Sequence, residues 1–245
     1  MADPFSPIAI RGMQLPNRFM RSATHDSSAD EWGRATDKSM AIYSRLGEGD
    51  IGLVVSGYAY VRADGQALPG QYAAHTDEMI PSLARLAKAV QQGGGRTALQ
   101  IVHAGMYSPA LKAKGVVCLA PSKVENSEYP HREMTSGEIE AIIEDFGAAA
   151  ARAREAGFDA VQLHGAHGYL FSQFLSPLTN RRTDDWGGSP EKRRRFHVEV
   201  VREVRRRVED DYPVMVKLGI MDDAPGGASL GEGLSLIHIS EPTRL

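Results

Sequence analysis

The sequence predicts an α/β fold on a parallel sheet, from three observations. Four short runs, Gly52–Ser56, Thr97–His103, Asp159–His164 and Pro213–Leu218, are almost continuously apolar instead of alternating. Strands covered on both faces of a parallel sheet read this way. Segments with helical spacing lie between the runs, and strands alternating with helices make βαβ units. No linker or repeat divides the 245 residues, a length that suits one α/β domain with a sizeable core.

The elements follow in order. Arg18–Ala23 reads as a weaker first strand and Gly52–Ser56 as a second. Ile80, Leu83, Leu86, Ala87 and Val90 then fall on one helical face, with Pro81 suited to the first turn. After the strand Thr97–His103, Thr135-Ser136-Gly137-Glu138 has the form of a capping box. Ile139, Ile142, Ile143, Phe146, Ala149, Ala150 and Ala153 keep helical spacing behind it, and Gly157 stops that helix. Asp159–His164 is the next strand. Ser189-Pro190 opens a helix with Phe196, Val200, Val201, Val204 and Val208 inward, and its run Lys192-Arg193-Arg194-Arg195 reads as a solvated face in preference to a phosphate-binding patch. Pro213–Leu218 closes the series. The strand centres Val54, Gln100, Val161 and Val216 are 46, 61 and 55 residues apart, against about 30 for a minimal βαβ unit. The surplus falls mostly after the strands, where an α/β barrel builds its active site. At this spacing eight strands do not fit, so the chain is either a five-stranded open sheet or a barrel that ends before closing.

Composition excludes several classes. There are 28 basic against 31 acidic residues, net charge −3, which argues against a nucleic-acid binder. The single cysteine, Cys118, excludes an intrachain disulfide and a four-cysteine metal site. No apolar run approaches the ~18 residues of a membrane span, and Met1-Ala2-Asp3-Pro4-Phe5 is not a signal peptide. The expectation is a soluble, cytoplasmic protein.

The segment Leu163-His164-Gly165-Ala166-His167-Gly168-Tyr169-Leu170 sits at the C-terminal end of a strand. Three readings of it compete. The histidines satisfy backbone groups in a tight turn; or they ligate a metal, although no nearby Asp, Glu or Cys completes the set; or they donate hydrogen bonds to a substrate oxygen while Tyr169 supplies a proton. Gln100 and Lys217 interrupt apolar strands, where an amide needs partners and a lysine needs an anion or a cavity. Both belong at one end of the sheet. Tyr58 and Tyr60 either face the pocket or pack; the pattern does not decide.

The stretch His164–Arg195, HGAHGYLFSQFLSPLTNRRTDDWGGSPEKRRR, resembles the signature of the Old Yellow Enzyme family of FMN-dependent oxidoreductases. Asn17–His25 resembles the family's first barrel strand and Ala98–Gly105 its third. The likeness covers about residues 4–234, nearest to the bacterial NADH:flavin oxidoreductases and ene-reductases. It implies a TIM (β/α)8 barrel, here incomplete, with strands one to five of eight. FMN would lie at the C-terminal ends of the strands. Ser22, Ala23 and Thr24 would line it, Gly57 would admit the backbone to its ring, Gln100 would bond its pyrimidine edge, and Lys217 would sit near N1 and O2. His164 and His167 would bind the substrate's carbonyl or nitro oxygen and Tyr169 would be the proton donor. NADH or NADPH would supply hydride in a ping-pong cycle, and the substrate would be a small α,β-unsaturated carbonyl or nitro compound. No metal, nucleic acid or membrane is implied; homo-oligomers occur in the family. The alternatives are a fragment of a dienoyl-CoA reductase or amine dehydrogenase-like flavoenzyme, or a non-catalytic fragment. Residues 235–245, SLIHISEPTRL, resemble instead the translation of a sequencing adapter. The domain reading is therefore a partial FMN-binding barrel over 1–234 and a non-native tail over 235–245. Without the late barrel loops that hold the FMN phosphate, poor folding and weak FMN binding are expected.

Overall fold

A computed structural model describes residues 3–240, so 241–245 of the suspected tail lie outside the described residues. The chain opens with a small antiparallel hairpin, β1 (Ile8–Ile10) and β2 (Met13–Leu15). The sheet begins with β3 (Met20–Arg21) and continues through β4 (Leu53–Val55), β7 (Arg96–Val102), β10 (Ala160–Gly165) and β11 (Val214–Leu218). These five strands pair in chain order, all parallel, and they fall on the four apolar runs and on the weaker first candidate, Arg18–Ala23. Short strands β5 (Ala59–Tyr60) and β6 (Tyr72–Ala73) extend the loop after β4, β5 pairing with the end of β7. Strands β8 (Cys118–Ala120) and β9 (His131–Glu133) form a separate parallel pair after β7.

Helices lie between the strands. The helix α1 (Asp37–Gly47) links β3 to β4 and is closed by a Thr36–Ser39 capping box. The sequence reading missed it, because Lys38, Ser39, Ser44 and Arg45 interrupt its apolar face. The helix α2 (Ile80–Gln91) starts with Pro81 in its first turn, as expected. A short α3 (Pro109–Ala113) follows β7. The Thr135–Glu138 box caps α4 (Ser136–Glu155) in both directions, and Gly157 ends it at φ +86°. Then come α5 (Leu170–Leu175), α6 (Pro190–Arg207) and α7 (Leu230–Ser240). Helix α7 runs unbroken across residue 234, and Leu236 packs against Leu175 and Ala228.

Strand alternation sorts the side chains between two faces. Val54, Leu99, Ile101, Val161 and Leu163 face the helices and share one large core with Leu83, Leu86, Phe146, Phe196 and Val200. On the opposite face, Leu53, Val55, Ala98 and Ala160 pack with Met13 and Leu15 of the hairpin, which plugs the N-terminal end of the sheet. The concave face above that plug is left for polar residues.

Two details depart from the reading of the sequence. Arg193 and Arg194 are buried, so the basic run is not a solvated face. Arg193 reaches across to α7 to pair with Glu232 and donates Nε–H to the Leu175 carbonyl at 2.9 Å; only Lys192 and Arg195 are exposed. Lys217 is half-buried, because among the described residues β11 has a neighbour on one side only. No helix among the described residues is long and apolar enough to cross a membrane.

Candidate active site

Strand β10 ends in His164 and Gly165, and the chain turns sharply before α5. His167 at φ +61° and Gly168 at φ +74° make that turn. Two bonds hold it: Ala166 donates its N–H to His164 Nδ1 at 3.4 Å, and Leu170 donates its N–H to the His103 carbonyl at 3.0 Å. The consequence is that three side chains converge. The His164 ring centroid is 4.9 Å from that of His167 and 5.0 Å from that of Tyr169.

The turn bond fixes chemistry as well as shape. Nδ1 of His164 accepts, so in the neutral ring the proton resides on Nε2, which is then a donor. Burial holds His164 down at about 3, with His167 and Lys217 adding like-charge repulsion. His167 is lowered too, by burial first and then by Lys217. Both rings are therefore neutral donors near pH 7. Tyr169 is buried, and desolvation raises its pKa. Its hydroxyl lies 3.2 Å from that of Tyr58. Tyr58, left undecided by the sequence, faces this pocket.

Below the cluster, Gln100 on β7 and Gln162 on β10 are register partners, both buried, and Gln100 donates Nε2–H to Gln162 Oε1 at 2.7 Å. The sequence reading missed Gln162, although a second amide in an apolar run was the available signal. Lys217 lies beside His164 in register, and its ammonium donates to Ser22 Oγ at 3.4 Å. Ser22 follows β3 and Lys217 is on β11, so the sheet curls far enough to bring its two outer strands together. Ala23 packs on the inner cluster and Thr24 donates to the Ser22 carbonyl at 3.3 Å. Gly57 is needed by the protein itself: a Cβ there would lie 3.0 Å from the Thr24 carbonyl and 3.2 Å from the Tyr72 ring. The Ser22–Thr24 segment is anchored through Asp26, which accepts from the hydroxyls of Tyr43 at 2.9 Å and Tyr72 at 3.2 Å. Tyr43 in turn accepts the Gly57 N–H at 2.6 Å. No local motif announced this network.

Whether these residues suit FMN is a question of donor chemistry. A flavin's pyrimidine edge offers an alternating set of donors and acceptors. Paired amides that each keep unused groups, next to an ammonium and a hydroxyl, match it. A cation beside that edge also suits the negative charge of a reduced flavin. The fit holds for the ring, and the fold and site define a class: a parallel α/β barrel of the flavin-binding kind. The sequence profile of the NADH:flavin oxidoreductase / NADH oxidase family matches residues 3–240, and the chain belongs to that family, whose cofactor is FMN.

Individual relatives agree. The chain is 38% identical over 208 residues to the Bacillus subtilis protein named "Probable NADH-dependent flavin oxidoreductase YqiG", covering 84% of this chain and 56% of that one. It superposes on 2-naphthoyl-CoA reductase, in a complex with 2-naphthoyl-CoA, with TM-score 0.93 and 31% identity over 97% of this chain and 38% of that one. The Old Yellow Enzyme of Pichia sp. AKU4542 gives TM-score 0.86 and 28% identity over 96% of this chain and 65% of that one. The fold is thus that of the Old Yellow Enzyme barrels, of which the five parallel strands form part. The chain spans 56% of the length of the first of these relatives and 38% and 65% of the other two.

Proposed function

We propose that this chain carries the substrate-reducing face of an FMN-dependent NAD(P)H oxidoreductase acting on the C=C bond of α,β-unsaturated carbonyl or nitro compounds. The observation that carries the reading is the convergence of two neutral imidazoles and a phenol on one turn. FMN, when bound, supplies the hydride relay from NAD(P)H to the substrate's β-carbon.

The chain's own residues do the rest. His164 Nε2–H and a ring N–H of His167 donate to the substrate's carbonyl or nitro oxygen. As hydride arrives, negative charge grows on that oxygen, and preorganised donors stabilise it most at that stage. Neutral imidazoles suit this role, because they polarise the oxygen without having to be charged in a buried site. Tyr169 gives its phenolic proton to the α-carbon, and water later restores it. Lys217, Ser22, Gln100 and Gln162 would hold the pyrimidine edge of the cofactor. Electrons and atoms balance: one hydride and one proton add across the double bond.

The test is direct. The protein loaded with FMN, given NADPH and cyclohex-2-enone without oxygen, is expected to form cyclohexanone in equal amount to NADPH consumed. NADPH oxidation that needs oxygen and leaves the enone intact would overturn the reading.

A further inference from the structure

We propose that Tyr58 is a positioning residue that sets the acidity of Tyr169 and holds the charge left when Tyr169 gives up its proton. This rests on Tyr169 being the proton donor.

The two hydroxyl oxygens are 3.2 Å apart and both residues are buried, 5% and 7% exposed. Among the described residues the Tyr169 hydroxyl has no other hydrogen-bond partner in the protein. Their rings pack at 5.7 Å between centroids. Tyr58 is clamped, since His25 packs on its ring at 5.4 Å and His164 meets it edge-on at 5.9 Å. The backbone before it is tied as well, through the Gly57 N–H bound to Tyr43. The Tyr58 hydroxyl therefore stays on Tyr169.

Proton transfer gives this contact a direction. An ionised phenol oxygen can only accept, so Tyr58 is then obliged to donate. A hydrogen bond to an anionic oxygen is roughly twice as strong as one between neutral groups. The contact thus strengthens as the proton leaves, which is what accelerates a step. Burial raises both phenols, and the hydrogen bond from Tyr58 pulls Tyr169 back down while pushing Tyr58 further up. The other titratable groups around the pair are Tyr107, whose ring is 6.0 Å from that of Tyr169, then His164, His167 and His25, with Lys217 beside His164. None of these hydrogen-bonds the Tyr169 hydroxyl among the described residues; Tyr58 does.

The experiment is a pH titration of the full chain with tyrosine labelled by carbon-13 at Cζ, followed by NMR in the wild type, Tyr58→Phe and Tyr169→Phe. Phe keeps the ring between His25 and His164. The Tyr169 resonance, assigned by its loss in Tyr169→Phe, is expected to titrate at higher pH in Tyr58→Phe. In the FMN-loaded protein, Tyr58→Phe is expected to lower kcat for cyclohex-2-enone by about 10- to 100-fold, and to cost nothing further once Tyr169 is already Phe. An unmoved Tyr169 titration overturns the proposal even if turnover falls, because a shifted ring alone would do that. Essential Tyr169 with an innocuous Tyr58→Phe overturns the role of Tyr58 only. Full enone reduction by Tyr169→Phe overturns the proton-donor reading, and the role of Tyr58 with it.

Discussion

Gln100 and Gln162 face each other across β7 and β10 as register partners, with Gln100 Nε2 2.7 Å from Gln162 Oε1. They form a polar layer between the apolar plug of Met13, Leu15, Leu53 and Val55 and the His164–Tyr169 turn above. Gln100→Leu leaves the Gln162 carbonyl buried without its donor. The expected cost is about 1–3 kcal/mol in urea unfolding, and replacing both residues by Leu should cost less than that single change. FMN affinity should fall in both variants.

The loop after α5 has an anchor of its own. Arg182 is buried and donates NH1 to the carbonyls of Pro121 at 2.9 Å and Met134 at 2.7 Å, while Nε and NH2 hold Asp184. It ties the loop after α5 to β8 and to the start of α4. Lysine offers a single point charge where a planar fork is in use. Arg182→Ala is expected to lose about 3–5 kcal/mol, and Arg182→Lys should recover little of it. Chemical denaturation of both variants checks this; recovery of most of the stability by Lys would contradict it.

His164 stays neutral down to about pH 3, held there by burial and then by His167 and Lys217. If the neutral ring is the substrate-binding form, kcat for enone reduction should show no acid limb from His164 between pH 5 and 8. A fall in rate centred near pH 6.5, abolished in His164→Asn, would show that a charged imidazole is the working species.

His197 carries a stability prediction with a defined sign. It is fully buried and neutral, held down to about 3 by desolvation, and among the described residues neither ring nitrogen has a partner. It borders an apolar cavity of about 310 Å³ with Phe171, Val201, Val216, Leu218 and Leu236. In the unfolded chain it titrates near 6.5. Its folded pKa is therefore depressed. The neutral fold is favoured above 6.5, and stability drains away as pH falls from 6.5 towards 3. His197→Phe should stabilise the protein at pH 7 by about 1–3 kcal/mol. It should also flatten the acid slope by up to ~1.4 kcal/mol per pH unit in that window. Urea melts across pH 7 to 4 measure both; an unchanged slope would mean that His197 is not buried neutral.

Four of the five parallel strands were legible because their runs are almost continuously apolar; β3 was the weaker reading, since Met20–Arg21 is short and not buried. The helices α2, α4 and α6 announced themselves by period and caps. The helix α1 did not, since Asp37, Lys38, Ser39, Ser44 and Arg45 fall within its eleven residues. The run Lys192–Arg195 misled because charge suggests solvent, whereas Arg193 satisfies its guanidinium on Leu175 and Glu232 while packed between α5 and α7. His164, His167 and Tyr169 were readable as a group because one turn holds them. Asp26, Tyr43 and Tyr72 were not, being 17 and 46 residues apart and joined only by the folded loops. Tyr58 belongs with these, since the direction of a side chain just past a strand is set by the loops around it.

On the proposed reading, the turn after β10 delivers a proton from Tyr169 while the histidines hold the substrate oxygen. The most direct measurement is stopped-flow of FMN-loaded Tyr169→Phe, with flavin reduction by NADPH and reoxidation by cyclohex-2-enone followed separately. Reduction by NADPH is expected at the wild-type rate, with reoxidation by the enone slowed by about 100-fold or more. Reoxidation at the wild-type rate would contradict that reading.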